Sequence, residues 1–342
     1  MAKILVTGGT GYIGSHTAVE LIGAGYDVLI VDDLSNSDRG VVDRIEKITG
    51  YRCEFQEMDL CNASAVKALF EGHPDLSGII HFAAKKAVGE SVQVPLTYYR
   101  TNLFSLVNLL EYVGGREPMP FVFSSSCTVY GSPKELPVTE SSPVQAAFSP
   151  YGNTKQICEE ILIDAVASGR ALTVEILRYF NPIGAHSSAL IGELPLGVPN
   201  NLVPFITQTA YGLRECLSVF GNDYATPDGS CIRDYIHVVD LAKAHVVALS
   251  RLLEGQNASP VETFNLGTGR GQSVLEVIAA FEKVSGERLN YRIAPRRDGD
   301  VPAIYADTKK ANEVLGWRAE RSLEEAVASA WAWEKAFRES VR

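Results

Sequence analysis

Tyr151 and Lys155 stand four residues apart in Ser149-Pro-Tyr-Gly-Asn-Thr-Lys155, a spacing that puts two side chains on one face of a helix. A phenol beside an ammonium can act as a base toward an alcohol. Free tyrosine has a pKa of about 10, so work near neutral pH requires a depression of about three units, or about 4 kcal/mol. Nearby positive charge is the ordinary means of achieving it. Upstream, Ser124-Ser-Ser-Cys-Thr-Val-Tyr130-Gly ends an apolar run, so a serine there can share a substrate hydroxyl's hydrogen bond and steer its proton. Tyr-x-x-x-Lys alone occurs on many helix faces. Here it follows a polar strand end, and the chemistry indicated is oxidation of a secondary alcohol.

The oxidant is suggested at the other end of the chain. Ile4-Leu-Val-Thr leads into Gly8-Gly-Thr-Gly11-Tyr-Ile-Gly14 and then into an apolar helix. Glycines at Gly8, Gly11 and Gly14 permit a tight turn and a close approach of backbone to a pyrophosphate, and the helix N-terminus presents N–H groups and a positive dipole end. The next strand ends in Asp32-Asp33, where an acid can accept hydrogen bonds from an adenosine ribose. Two carboxylates there would repel a 2′-phosphate, so NAD is favoured over NADP as cofactor. The positive nicotinamide ring of NAD⁺ would also favour a phenolate. Asp59 could hold the adenine amino group or stand as a solvated loop acid; the pattern leaves both readings open.

These residues require a scaffold, and the first half supplies one. Ile4–Thr7, Asp27–Val31, Arg52–Gln56, Gly78–Phe82, Pro120–Ser124 and Thr173–Arg178 read as strands covered on both faces. Helices are expected at Ile13–Ala24, Asp38–Thr49, Ala63–Glu71, Leu96–Tyr112 and Gly152–Ser168. The alternation predicts an α/β fold with a doubly wound parallel Rossmann-type sheet. Asn181–Asn201, rich in Pro, Gly, Asn and Ser, reads as a long functional loop or insertion. Beyond it, strands at Leu217–Phe220, Thr263–Leu266 and Asn290–Ile293 and helices at Val239–Leu253, Val274–Val284 and Leu323–Phe337 suggest a smaller α/β lobe over the carboxyl edge of the sheet. The expected division is an NAD-binding domain over 1–180 and a nucleotide-sugar lobe over 181–342. That boundary is soft, because the helix near 239–253 could return to the first domain.

Composition narrows the function further. The net charge of −10, without a basic cluster, argues against nucleic-acid binding. Six cysteines without paired spacing read as free thiols, and six scattered histidines give no metal-ligand spacing, so no metal is expected. No apolar run reaches the roughly 18–20 residues of a membrane span, and the N-terminus does not read as a signal peptide. A cytoplasmic protein is expected.

With these motifs assembled, the chain resembles the extended short-chain dehydrogenase/reductase family over nearly its whole length, and the nucleotide-sugar 4-epimerases within it. The markers are Thr7-Gly-Gly-Thr-Gly-Tyr-Ile-Gly-Ser-His16, His81-Phe-Ala, Ala87-Val-Gly-Glu-Ser91, the Ser124–Gly131 segment, Leu177-Arg-Tyr-Phe-Asn-Pro-Ile-Gly-Ala-His186, Pro199-Asn-Asn-Leu202, Phe220-Gly-Asn-Asp-Tyr224, Arg233-Asp-Tyr-Ile-His237 and Pro295-Arg-Arg-Asp-Gly-Asp300. For NAD the resemblance implies contacts from Tyr12, Ile13, Asp32, Asp33, Leu34, Ser35, Asn36, Ser37, Asp59 and Leu60. It adds Phe82, Ala83, Ala84, Lys86, Ser126, Tyr151, Lys155 and Phe180. For a UDP-sugar it implies Ser126, Tyr151, Asn181, Asn201, Leu202, Phe220, Arg233, Arg297 and Asp300. Guanidinium groups suit a diphosphate, Asp300 suits ribose hydroxyls, and Phe220 offers apolar surface beside uracil. From pattern alone, each of these arginines also reads as an exposed salt-bridge residue. Three positions depart from the family pattern. Ala84-Lys85 replaces a glycine and an aliphatic residue, so Lys85 could point to solvent. Thr101 stands where an asparagine often touches NAD, and Cys127 stands where alanine is common. The family also implies a homodimer through the helices near 96–112 and 152–168.

The implied reaction is epimerisation of a UDP-hexose at C4′. Tyr151 as phenolate takes the 4′-hydroxyl proton, hydride passes to NAD⁺, and the 4-keto sugar turns and is reduced on its other face. Ile304 stands where the family sets room for an N-acetyl group; it is intermediate in size, and some activity on UDP-N-acetylhexosamines is expected. A 4,6-dehydratase would carry Asp-Glu after the polar strand end, where this chain has Ser126-Cys127 and no acid. A UDP-glucuronate 4-epimerase is not separated by residue chemistry. A non-catalytic NAD sensor on the same fold has no reason to keep Tyr151, Lys155 and Ser126 together.

Overall fold

A computed structural model describes residues 1–113, 118–297 and 299–340. The first elements are β1 (Lys3–Thr7), α1 (Tyr12–Gly23), β2 (Asp27–Asp32), α2 (Gly40–Thr49), β3 (Glu54–Glu57), α3 (Ala63–Gly72), β4 (Leu76–His81) and α4 (Val88–Gln93). Then come α5 (Pro95–Tyr112), β5 (Met119–Ser126), α6 (Pro150–Ala167), β6 (Leu172–Tyr179), β7 (Asn181–Ile183), α7 (Leu202–Ala210), β8 (Leu217–Phe220) and β9 (Ile232–Arg233). The last are β10 (Tyr235–His237), α8 (Val238–Leu253), β11 (Val261–Leu266), β12 (Gln272–Ser273), α9 (Val274–Ser285), β13 (Tyr291–Ala294), β14 (Ala303–Ile304) and α10 (Leu323–Ser340).

Apart from the polar edge strand β3, the strands of the first half are apolar and pair accordingly. One seven-stranded sheet runs in the order β11-β6-β5-β4-β1-β2-β3, and β1 through β6 pair in parallel. This is the expected doubly wound sheet of Rossmann type. Its order reverses between β1 and β4, so the loops leaving those two strands flank the switch point where such sheets bind ligands. On one face Leu5, Leu29, Ile79, Phe121, Phe123, Val174 and Ile176 form a core with Leu106, Leu109, Cys158 and Leu162 of α5 and α6. The start of α6 is written locally: Ser149 caps it by accepting from the Gly152 N–H at 3.1 Å, and Pro150 occupies the first turn.

The chain divides less simply than at one boundary near residue 181. The first compact unit comprises Met1–Gly131, Pro143–Tyr179 and Ala242–Phe264, and the second Ser132–Ser142, Phe180–Leu241 and Asn265–Arg342. From Ala242 onward α8 belongs to the first unit, and β11 joins β6 at the edge of its sheet. In the second unit, Ile183, Val203, Ile206, Val219, Phe281 and Trp331 share a core. Three small sheets accompany it: β10-β7, β13-β8 and β12-β9-β14. Among the described residues no helix is long and apolar enough to cross a membrane.

Two glycines make the first turn possible. Gly8 has φ +69°, and a Cβ there would lie 2.8 Å from the Ala83 nitrogen after β4. A Cβ on Gly14 would lie 2.3 Å from the Gly8 carbonyl oxygen, so α1 packs directly on the loop. Gly14→Ala is expected to lower stability by about 1–3 kcal/mol through overpacking. The urea midpoint measures this, and a midpoint equal to that of the parent chain would refute the close approach.

Candidate active site

The loop after β1 is tied to the loop after β2 through one acid. Asp32 accepts from the Thr10 N–H at 3.2 Å, the Leu34 N–H at 3.0 Å and the Ser37 hydroxyl at 3.1 Å, and the Thr10 and Ser37 hydroxyls meet at 2.7 Å. Leu34 takes φ +57° in this turn. Asp33 is exposed and accepts from the Ser35 N–H, and Asn36 is exposed beside it. Gly11, Tyr12 and Ile13 open α1, and the Lys86 ammonium lies 5.7 Å from the Tyr12 ring centroid. The Phe82 ring lies 4.7 Å from that of His245 at a tilted angle of 48°, and the Ala83 N–H donates to Thr7. Asp59 accepts from the Cys61 N–H, Leu60 is in the core, and Ala84 is half-buried.

Lys85 is half-buried. Its backbone N–H and carbonyl are both bound by Asn102, at 2.8 and 3.1 Å, and Asn102 also donates to Thr154 of α6 at 2.9 Å. Asn102 thus joins the loop after β4 to the helix of Tyr151, a role no spacing motif announced. The neighbouring Thr101, half-buried, offers its carbonyl to the Cys61 thiol.

In the second unit the arginines converge on one carboxylate. Asp300 lies 2.9 Å from Arg297 and 3.4 Å from Arg233, and the Arg297 guanidinium is 5.7 Å from the Phe220 ring. Arg233 also donates to the Ile232 and Val301 carbonyls, both at 2.8 Å. Ile304 is its register partner on β14 and is buried. Asp234 behind it is fully buried and accepts from the N–H groups of Thr268, Gly269 and Ala306 and from the Thr268 hydroxyl. Asn181 pairs its N–H with the Asp234 carbonyl. Asn201 precedes Leu202 at the start of α7 and donates to Glu193 at 2.6 Å. Phe180 is buried and belongs to this unit, while Asp298 of the same motif lies outside the described residues.

Tyr151 and Lys155 both lie on α6 and are buried against the carboxyl end of β5. The Tyr151 hydroxyl is hydrogen-bonded to the Ser126 side chain, which lowers its pKa, but burial dominates and pushes the phenol well above its ordinary value. The Lys155 ammonium donates to the Ser124 carbonyl at 2.6 Å and sits 4.9 Å from the Phe123 ring centroid. Its immediate partner is therefore backbone, not the phenol. Cys127 is buried, as a packing residue would be. His81, at the end of β4, shares a hydrogen bond with Thr7 at 2.8 Å. Burial, with the Lys155 charge second, lowers its pKa to about 3. An unfolded histidine takes its proton near pH 6.5, so below that pH the unfolded chain binds a proton the native site refuses. Stability should therefore fall as the pH drops from about 6.5 toward 3, by up to about 1.4 kcal/mol per unit from this group. Urea unfolding of the parent chain and of His81→Gln at successive pH values measures the difference in slope; identical slopes would contradict a neutral buried imidazole.

The chain is similar to known proteins over nearly its whole length. The family model described as GDP-mannose 4,6 dehydratase matches residues 5–330. The UDP-glucose 4-epimerase of Yersinia pestis is 51% identical over 331 residues, covering 97% of both chains. That of Homo sapiens is 47% identical over 339 residues, covering 97% of this chain and 96% of its own. Among solved structures, the UDP-glucose 4-epimerase of Stenotrophomonas maltophila, with bound NAD and formylated UDP-arabinopyranose, superposes with a TM-score of 0.94 at 47% identity, covering 99% of this chain and all of its own. The Bifidobacterium longum enzyme in complex with NAD⁺ and UDP gives 0.92 at 44% identity, with 98% of each chain covered. On residue chemistry, fold and likeness together, the chain belongs to the UDP-glucose 4-epimerases.

Proposed function

We propose that this chain interconverts UDP-galactose and UDP-glucose through a transient 4-keto sugar, with NAD as a bound catalyst. The observation that carries the reading is the buried Tyr151 hydroxyl bonded to Ser126, beside a buried Lys155 ammonium, at the carboxyl end of β5. NAD fits the first unit: a Cβ would fill the cradle at Gly8, no side chain caps α1, and Asp33 stands exposed after β2. When bound, it supplies a hydride acceptor and donor and a positive ring that favours phenolate. Ser126 orients the 4′-hydroxyl, Tyr151 takes its proton and later returns it, and Lys155 holds positive charge in the same wall. Arg233 and Arg297 take the diphosphate, Asp300 the ribose, and Phe220 the uracil. Asn181, Asn201 and Leu202 complete the nucleotide-sugar contacts.

Affinity concentrated on the nucleotide leaves the hexose free to turn, as a change of face at C4′ requires. The dehydratase in the name of the matching family model does not carry over. Elimination needs an acid and base near the sugar, and after Ser126 the chain has Cys127 and Thr128. Ile304, intermediate in size, leaves room for some turnover of UDP-N-acetylhexosamines; UDP-glucuronate is the competing substrate. We place the protein in the cytoplasm on its cysteine pattern, six residues without paired spacing. We also infer a homodimer through α5 and α6, supported by the exposed Leu96, Phe104 and Ile163 on those helices.

Incubation with UDP-galactose, UDP-N-acetylgalactosamine and UDP-glucuronate in parallel, followed by chromatography, is expected to show UDP-glucose as the main product and slower N-acetyl conversion. Background rates on UDP-galactose would end the reading. Tyr151→Phe is expected to cut kcat by about a hundredfold or more while bound NAD, measured after denaturation, stays unchanged. Near-normal turnover would remove Tyr151 from its role.

A further inference from the structure

Tyr151, Lys155 and Glu159 follow one another at four-residue spacing on α6, so all three lie along one face of the helix. Glu159 is 5% exposed. Its carboxylate accepts from the Ser125 hydroxyl at 2.5 Å and from Arg178 through Nε at 2.9 Å and Nη2 at 2.5 Å. Arg178 in turn donates to the Tyr130 hydroxyl at 3.0 Å and lies 5.0 Å from that ring's centroid. Ser125 and Arg178 are register partners across β5 and β6. One carboxylate thus ties α6 to the two strands beside Lys155, and the chemistry above makes no use of it.

For stability alone the pair is a poor device, since apolar residues of similar volume often hold a fold as well as a buried ion pair. The other buried charge on the same helix face is Lys155, one turn before Glu159. We propose that Glu159, fixed by Arg178 and Ser125, is a positioning residue for Lys155: its negative charge keeps the buried ammonium in place on the Ser124 carbonyl, next to Tyr151. The proposal rests on the epimerase reading. Burial pulls the Lys155 pKa down to about 8, and Cys158 and Glu159 act in the opposite direction. The other titratable or charged groups around this stretch include His81 on β4, Cys127 and Tyr130 just after β5, Arg178 and Tyr179 on β6, and Tyr98 with its partner Glu90 on α5 and α4. Of these, Arg178 is the cation that Glu159 neutralises.

The test is the pH dependence of kcat on UDP-galactose for the NAD-loaded enzyme. Glu159→Gln leaves Arg178 unneutralised, and the alkaline limb should move to lower pH by about one unit, a tenfold loss at a fixed pH on that limb. Arg178→Gln removes the opposing cation, and the limb should move to higher pH. The double variant E159Q/R178Q carries neither charge and can still pair amide with amide; its limb should fall between those of E159Q and the parent. Shifts of the two single variants in the same direction, or lost activity with limbs unmoved, would reduce the pair to a brace and overturn the proposal. If either single variant fails to fold, the double variant decides: a limb coincident with the parent's overturns the proposal. Failure of the parent enzyme to convert UDP-galactose would instead sink the underlying reading.

Discussion

Lys155 carries an ammonium into a wall where 4% of the residue meets solvent. Taking such a group out of water costs several kcal/mol even after relaxation, and the direction of its pKa records that cost. The groups that offset it include the Ser124 carbonyl at 2.6 Å and the Phe123 ring. Both belong to β5, and β5 is placed by its parallel pairing with β4 and β6. A slip of one residue would exchange the faces of Ser124, Ser125 and Ser126 and put a different carbonyl opposite the ammonium. The register of one strand, covered on both sides, therefore decides where the positive charge sits and which serine meets the phenol.

The second unit treats its charges differently. Arg233 and Arg297 share Asp300, so the three groups together carry a net positive charge suited to an anion, with the guanidinium forks held in orientation. Asp234 takes no part in that pairing; its four accepted hydrogen bonds order the backbone around Arg233. Charge-assisted hydrogen bonds are about twice as strong as neutral ones. A diphosphate ligand held this way would be gripped at its phosphates, and amides and hydroxyls would bind a sugar more weakly. That asymmetry is what a reaction needs when one part of its substrate must stay and another must turn.

Much of this was legible in the sequence, for identifiable reasons. Strands buried on both faces are written as apolar runs, so β1, β2, β4, β5 and β6 could be read within a few residues, while the edge strand β3 (Glu-Phe-Gln-Glu, partly exposed) was legible only from the strand–helix alternation. Ser149-Pro150 announced the start of α6, and the glycine loop announced its turn. The two-residue strands β9, β12 and β14 have no period to read. α7 begins at Leu202, directly after a stretch whose Pro, Gly and Asn content signals loop, and so it went unseen. The return of α8 and β11 to the first unit depends on tertiary packing, which periodicity does not encode; the apolar pattern of α8 permits that return without requiring it. Asn102 escaped because its partners are the backbone groups of Lys85. Lys155 lies on α6 as its spacing from Tyr151 requires, yet its acceptor is a backbone carbonyl, which residue types cannot reveal.

Tyr151 shows where residue spacing and environment pull apart. Four-residue spacing suggested that the lysine lowers the phenol directly, but the ammonium points to Ser124 and burial drives the phenol upward. Within the chain the Ser126 hydrogen bond works against that rise and does not overcome it. A buried phenol becomes a base near neutral pH only when further positive charge comes within a few ångströms, where low dielectric makes it count. In the proposed reaction the oxidised ring of bound NAD would supply such a charge and the reduced ring would not, so the protonation state of Tyr151 would follow the redox state of the dinucleotide. Tyr151 would then be a base toward a substrate carbinol and an acid toward the keto sugar. One phenol could serve both half-reactions because its surroundings hold it high, with the balance left to a charge that would come and go with the hydride.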